Sequence, residues 1–107
     1  MTDVSFVYVT VPDLEQAKTI GRCVVEEGFA ACANIIPHVL SYSNWQGTVD
    51  ETQEAILILK TSRHLFEQLE ARIKGLHSYE CPCIIEIAVT QGAADFLNWV
   101  HSSVRPS

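Results

Sequence analysis

Residues 31–60 read ACANIIPHVLSYSNWQGTVDETQEAILILK, and the way this stretch folds decides the architecture. Ala31 to Ile36 has the character of a strand, Pro37 interrupts it, and Val39 to Trp45 continues it. Gln46-Gly47 is a turn signal. A further strand is expected from Thr48 to Lys60, with Ala55-Ile56-Leu57-Ile58-Leu59 buried on both faces. Fully extended, the 15 residues from Ala31 to Trp45 would reach roughly 50 Å. A domain of this chain's length has a radius of gyration near 13 Å and a diameter of roughly 33 Å. Either Pro37 bends the arm back or the tip around Trp45 leaves the body. A two-stranded arm is poorly stable alone, so a protruding tip implies a partner surface and an oligomer.

Outward from the arm, the chain alternates strands and helices. Phe6 to Val11 is apolar on both faces, as in a central strand. Asp13 and Gln16 resemble a capping box opening a helix that runs to about Glu27. Ala17, Ile20, Gly21, Val24 and Val25 form its inward stripe, and Gly28 ends it. After the arm, Ser62 is the expected cap of a second helix with Phe66, Leu69, Ile73 and Leu76 on one face. A fourth strand is expected over Cys83–Thr90, and a short helix from near Ala93 carries Phe96, Val100 and Val104. Right-handed crossovers place both long helices on one face of an antiparallel sheet. The expectation is therefore one α+β domain spanning 1–107, a ferredoxin-like βαββαβ sandwich with an added C-terminal helix and a long protruding hairpin between the second and third strands.

Composition narrows the function. The chain carries 13 acidic and 7 basic residues, a net charge of -6, which argues against phosphate-backbone binding and so against a nucleic-acid partner. The uncharged stretch Phe29–Val49 contains Asn34, Pro37, His38, Asn44 and Gln46, too polar for a bilayer. Met1–Ser5 has neither a basic nor an apolar leader character, which sets the expectation of a cytoplasmic protein with reduced cysteines.

The densest reactive cluster is His77-Ser78-Tyr79-Glu80-Cys81-Pro82-Cys83. Its imidazole and thiols suit Cu or Zn better than Mg or Ca. Read blandly, His77 is a helix C-terminal imidazole, and Cys81 and Cys83 are small residues sharing one strand face. Cys23 and Cys32 fit core positions, while His38, His64 and His101 are expected as isolated surface residues. Trp45 is an expected interface anchor. Lys60 is expected to pair with Glu54 or Glu86, to line a pocket for an anion, or simply to be solvated. Phosphate loops, nucleophile elbows and zinc-protease motifs are missing.

Several segments together resemble the CutA divalent-cation tolerance proteins over nearly the whole chain. They are Val9-Thr10-Val11-Pro12, Ala30-Ala31-Cys32-Ala33-Asn34-Ile35-Ile36-Pro37, Trp45-Gln46-Gly47, Glu54, Lys60-Thr61, His77-Ser78-Tyr79-Glu80 with Pro82, and Trp99. The resemblance implies a ferredoxin-like homotrimer with hairpins reaching across subunits, similar in architecture to PII signalling proteins. It implies a non-enzymatic role in tolerance to copper and other divalent ions. Departures bear on the metal: Val9, Leu76 and Cys83 stand where family members carry a cysteine, a histidine and a glutamate, and Ser78 replaces a proline. Ser43, with Tyr42 beside it, stands where a tyrosine is usual.

The candidate metal ligands are thus His77 and Cys83, for a Cu or Zn ion. Trp45, Lys60, Tyr79 and Glu80 are the candidates for contact with a small ligand. The alternatives are a PII-like signalling or interaction scaffold without a physiological metal, and a small enzyme using His77 and Glu80. The Cα atoms of Cys81 and Cys83 would lie roughly 6.5–7 Å apart along an extended strand, at the edge of disulfide geometry. Thiol titration under denaturing, non-reducing conditions should therefore count four thiols per chain; two would refute the reduced state.

Overall fold

The computed structural model describes residues 2–106. Its elements are β1 (Val4–Val11), α1 (Leu14–Glu26), β2 (Cys32–Trp45), β3 (Thr48–Ser62), a 3-10 turn (Arg63–Leu65), α2 (Phe66–Leu76), β4 (Ile84–Ala88) and α3 (Ala94–Ser102). The sheet runs β2-β3-β1-β4, antiparallel throughout. This is the expected ferredoxin-like order with its added helix.

Local chemistry explains the first helix. Asp13 Oδ1 accepts from the Gln16 N–H at 2.8 Å, half of the expected capping box. The Gln16 side chain does not return to Asp13; it binds Ser78. At the other end Gly28 lies at φ 79°, a conformation costly for any residue with a Cβ. The Phe29 N–H bonds to Val24 O and the Gly28 N–H to Val25 O, a Schellman closure.

One core lies between the sheet and α1 and α2. Val7, Val9 and Val11 of β1 and Ala55, Leu57 and Leu59 of β3 face Ala17, Ile20, Val24, Leu69 and Ile73. Each is sealed from solvent, and truncating one such Leu or Ile to Ala costs ~2–5 kcal/mol. The expectation that β3 is buried on both faces is corrected. Ile56 and Ile58, on the face away from α1 and α2, remain partly exposed; on that face α3 meets β3 at its Lys60–Ser62 end. On the same face of β4, Ile85 and Ile87 are 52% and 51% exposed.

Pro37 neither ends β2 nor leaves it regular. Ile36 pairs with Ile56 but Val39 pairs with Glu54, so Pro37 and His38 together stand opposite Ala55. This is a β-bulge, and proline is tolerated there because its missing N–H falls outside the ladder. Beyond it, Val39–Trp45 pairs only with Thr48–Glu54, since β1 stops at Val11 opposite Ala55. The resulting ribbon stretches the molecule to 44 × 25 × 22 Å.

Other expectations shift at element ends. Ser62 caps nothing through its side chain, because the 3-10 turn intervenes and its Oγ meets His101 Nδ1 at 3.0 Å. Strand β4 is shorter than Cys83–Thr90, so Cys81 and Cys83 lie in irregular chain before it. Helix α3 stops before Val104.

Cys23 and Cys32 are only partly buried, against the core expectation. Cys23 belongs to a clamp between the helices. Arg72 of α2 forks onto the Glu27 carboxylate at 2.8 and 2.9 Å, and Cys23 Sγ bonds to the same carboxylate at 3.0 Å. The Arg72 and Cys23 hydrogen bonds hold the Glu27 carboxyl down at about 2, from 4.5. A depressed carboxyl stabilises the fold above its unfolded value and ceases to do so as pH falls through its folded one. Acid titration followed by circular dichroism should show stability lost between about pH 4.5 and 2. Glu27→Gln should flatten that interval; an unchanged acid limb would refute the clamp. Both side chains keep about a third of their surface exposed (37% and 33%), so salt should weaken the effect.

Candidate functional site at the base of the hairpin

The bulge sets which hairpin residues face the open side of the sheet. Before it, Ala33 and Ile35 pack on the helix side and Ile36 pairs with Ile56 on the open side. Side chains alternate along a strand, so one extra residue reverses the alternation. Beyond the bulge it is Ser43 and Trp45 that share the open face with Asp50, Thr52 and Glu54.

The chain after α2 forms the opposite wall. His77 ends that helix in an extended conformation, its N–H on Ile73 O at 2.9 Å. Its Nε2 lies 2.7 Å from Thr10 O of β1, and its Nδ1 3.1 Å from the Tyr79 N–H. A carbonyl only accepts and an amide N–H only donates, so the ring is the neutral tautomer with hydrogen on Nε2. Gln16 of α1 accepts from the Ser78 N–H at 2.9 Å and fixes the next residue. Tyr79 is thereby aimed at β3, where its hydroxyl donates to Glu54 Oε2 at 2.9 Å. The His77 and Tyr79 ring centres lie 4.9 Å apart with their planes tilted by 44°.

Between the walls lies a cleft of about 590 Å³. Asp50, Glu54 and Glu80 bring carboxylates to it, Cys81 and Cys83 thiols, and Trp45 and Tyr79 rings. Trp45 is 66% exposed at the far end. Desolvation, then the Glu54 hydrogen bond and charge, push the Tyr79 hydroxyl up to about 12. Among the described residues no three His, Cys, Asp or Glu side chains converge closely enough to hold a metal ion.

Four of the six residues singled out from sequence thus share the cleft: Trp45, Tyr79, Glu80 and Cys83. His77 stands behind it, only 9% exposed and with both ring nitrogens engaged, so ligating a metal would cost it one of those bonds. Lys60 is elsewhere on the sheet. Its Nζ sits between the Phe6 and Phe96 rings at 5.6 and 5.5 Å, a cation–π arrangement. Its expected partners are taken, Glu54 by Tyr79 and Glu86 by the Ser5 hydroxyl.

Sequence reasoning missed Asp50 and Glu54 as cleft residues. It also missed Gln16 as the support of Ser78. The alternation of β3, with Ala55, Leu57 and Leu59 on the core side, marks the first two; nothing local marks the third.

Known proteins resemble this chain throughout. A family model described as CutA1 divalent ion tolerance protein matches residues 5–103. The divalent-cation tolerance protein CutA of Thermus thermophilus is 42% identical over 97 residues, 91% of this chain and 94% of that protein. The crystal structure of CutA1 from Oryza sativa superposes with a TM-score of 0.95 at 35% identity, covering 99% of this chain and 97% of that one. A structure described as the periplasmic divalent cation tolerance protein CutA from Archaeoglobus fulgidus superposes with a TM-score of 0.92 at 34% identity, covering 95% and 99%.

The geometry around Tyr79 is open to direct measurement. Ultraviolet titration, with the fold followed by circular dichroism in the same solutions, should find one tyrosine ionising at about 12. Glu54→Gln should lower that value but leave it above 10, because desolvation is the larger cause. Three tyrosines all titrating near 10 would refute the Tyr79–Glu54 contact.

Proposed function

The chain belongs to the CutA1 divalent ion tolerance family, and on that premise we propose that it serves divalent-cation tolerance as a homotrimer whose hairpin-base cleft binds a Cu or Zn ion. The observation that carries this reading is the lining of the cleft: three carboxylates and two thiols in one concavity, with no complete ligand set among the described residues of one chain. Thiolates favour borderline and soft cations over Mg or Ca. Cys83 and Cys81 are the proposed protein donors, with Glu80 beside them and the remaining positions filled by water or a neighbouring subunit. His77 joins them only by surrendering its bond to Thr10 O; otherwise it positions Tyr79.

Assembly is supported by what one chain leaves uncovered. Ile36, Trp45, Ile85, Ile87 and Trp99 are each between 42% and 66% exposed. Apolar surface of that extent marks an interaction face. The threefold count comes from the family resemblance. Trp45, at the end of an unsupported ribbon, is the proposed anchor on a neighbour, and Trp45 and Tyr79 are the proposed contacts for a small ligand.

Binding rather than turnover is supported by His77, whose two ring nitrogens are both engaged with the backbone. No helix among the described residues is long and apolar enough to cross a membrane. Four free cysteines suit a reducing, cytoplasmic setting. One observation favours a PII-like signalling or interaction scaffold without a metal: Val9, at a family cysteine position, is sealed in the core.

Light scattering at micromolar concentration should report a trimer, and Trp45→Ala should weaken it by ~2 kcal/mol or more. A monomeric parent would defeat the assembly. Calorimetric titration of Zn(II) into the reduced protein should show binding that weakens as pH drops, since thiolate ligation releases protons. Cys83→Ser should weaken it about tenfold or more, as losing a ligand costs at least what losing a ligand's support does. His77→Gln separates the two roles of the imidazole: lost affinity with Tyr79 still near 12 means ligation, while affinity and the Tyr79 value moving together means positioning. Unchanged Zn(II) affinity in Cys83→Ser would remove the metal reading and leave the scaffold.

A further inference from the structure

Two histidines expected as isolated surface residues meet at the other end of the sheet. His64 on the 3-10 turn and His101 on α3 have ring centres 6.2 Å apart and planes at 72°. We propose that His64 and His101 form a second site for a borderline divalent cation, separate from the cleft.

Each ring is already held by one nitrogen. His64 Nε2 lies 3.1 Å from Arg105 O. A carbonyl only accepts, so Nε2 carries the hydrogen and Nδ1 presents a lone pair. His101 Nδ1 lies 3.0 Å from the hydroxyl of the buried Ser62. In the proposed site Nδ1–H donates to that hydroxyl, which is able to accept it, and Nε2 presents the second lone pair. A ring N–H tied to a carbonyl or hydroxyl is the support that metal-ligating imidazoles ordinarily have, since it fixes both tautomer and orientation.

The spacing suits a shared ion. With metal–nitrogen bonds of ~2.0–2.1 Å, two imidazoles on one ion have ring centres about 5–6 Å apart. The observed 6.2 Å lies just outside that range, and both side chains are exposed. His101 also lines a cleft of about 280 Å³ with Asp3 and Asn98. The backbone N–H of Arg63 bonds to the Asp3 carbonyl at 2.7 Å, which ties the start of β1 to the 3-10 turn beside this cleft. Two imidazoles favour Zn, Cu or Ni over Mg or Ca, with water completing the shell. An ion there would tie the 3-10 turn to α3.

The site lies beside Ser62, which pairs with Val4, whereas the cleft begins where Ala55 pairs with Val11. Seven residues of strand put about 23 Å between them. The two readings are therefore separable. The full chain carrying Cys81→Ser and Cys83→Ser removes the proposed cleft donors and leaves the histidines. Zn(II) titration followed by long-range proton–nitrogen NMR of the imidazoles should shift Nδ1 of His64 and Nε2 of His101 together. His64→Gln should weaken the His101 response about tenfold or more, and His101→Gln the His64 response likewise. Circular dichroism of each variant reports whether the fold is retained. Shifts of one imidazole alone, shifts that persist in the single variants, or no shift at millimolar Zn(II) would overturn the proposal. None of those outcomes bears on Zn(II) binding by the parent cleft.

Discussion

One extra residue in β2 governs what the hairpin base can do. With Pro37 and His38 both opposite Ala55, the alternation of side chains reverses between the body and the arm. In the body, the strand's odd residues Ala33 and Ile35 lean on the core. In the arm, the odd residues Ser43 and Trp45 join Asp50 and Glu54 on the opposite side of the sheet. Without the bulge, Leu40, Tyr42 and Asn44 would face the cleft, and Ser43 and Trp45 would face away from it. The carboxylates of β3 would then stand beside different neighbours, because β3 itself runs on without interruption.

The opposite wall depends on a relay of short polar contacts. Thr10 O holds the His77 ring, the ring receives the Tyr79 N–H, and the Tyr79 hydroxyl reaches Glu54. Gln16 secures Ser78 from the helix side. Elements β1, α1, α2 and β3 therefore all contribute to the placing of one phenol. Partly buried hydrogen bonds of this kind each stabilise by only ~1 kcal/mol net, but leaving one unmade costs more. Positioning by several weak contacts explains how seven residues of irregular chain can keep a defined shape beside an open cleft.

Charge is distributed with similar economy. The acidic excess expected from composition is not spread evenly; Asp50, Glu54 and Glu80 gather at the cleft. Three of the seven basic side chains serve the frame instead. Arg72 clamps Glu27 across the helices, Lys60 lies between two phenyl rings, and the Arg105 guanidinium stands 4.2 Å from the Phe29 ring while bonding to Glu27 O. The lining of the cleft therefore carries carboxylates with no lysine or arginine among them.

The sequence alone determined the element order, the antiparallel sheet and the projecting arm. These follow from apolar periodicity, turn residues and chain length, all of which are local or additive. It also marked Trp45, Tyr79, Glu80 and Cys83, because reactive side chains crowd into one short loop and one turn. Only the tertiary structure decided that Glu54 faces Tyr79, that His77 is enclosed rather than presented, that Lys60 belongs to another part of the sheet, and that His64 stands beside His101. Each of those depends on register and on contacts between residues 25 or more positions apart. A register shift of one residue exchanges the two faces of a strand, while leaving its composition and periodicity the same.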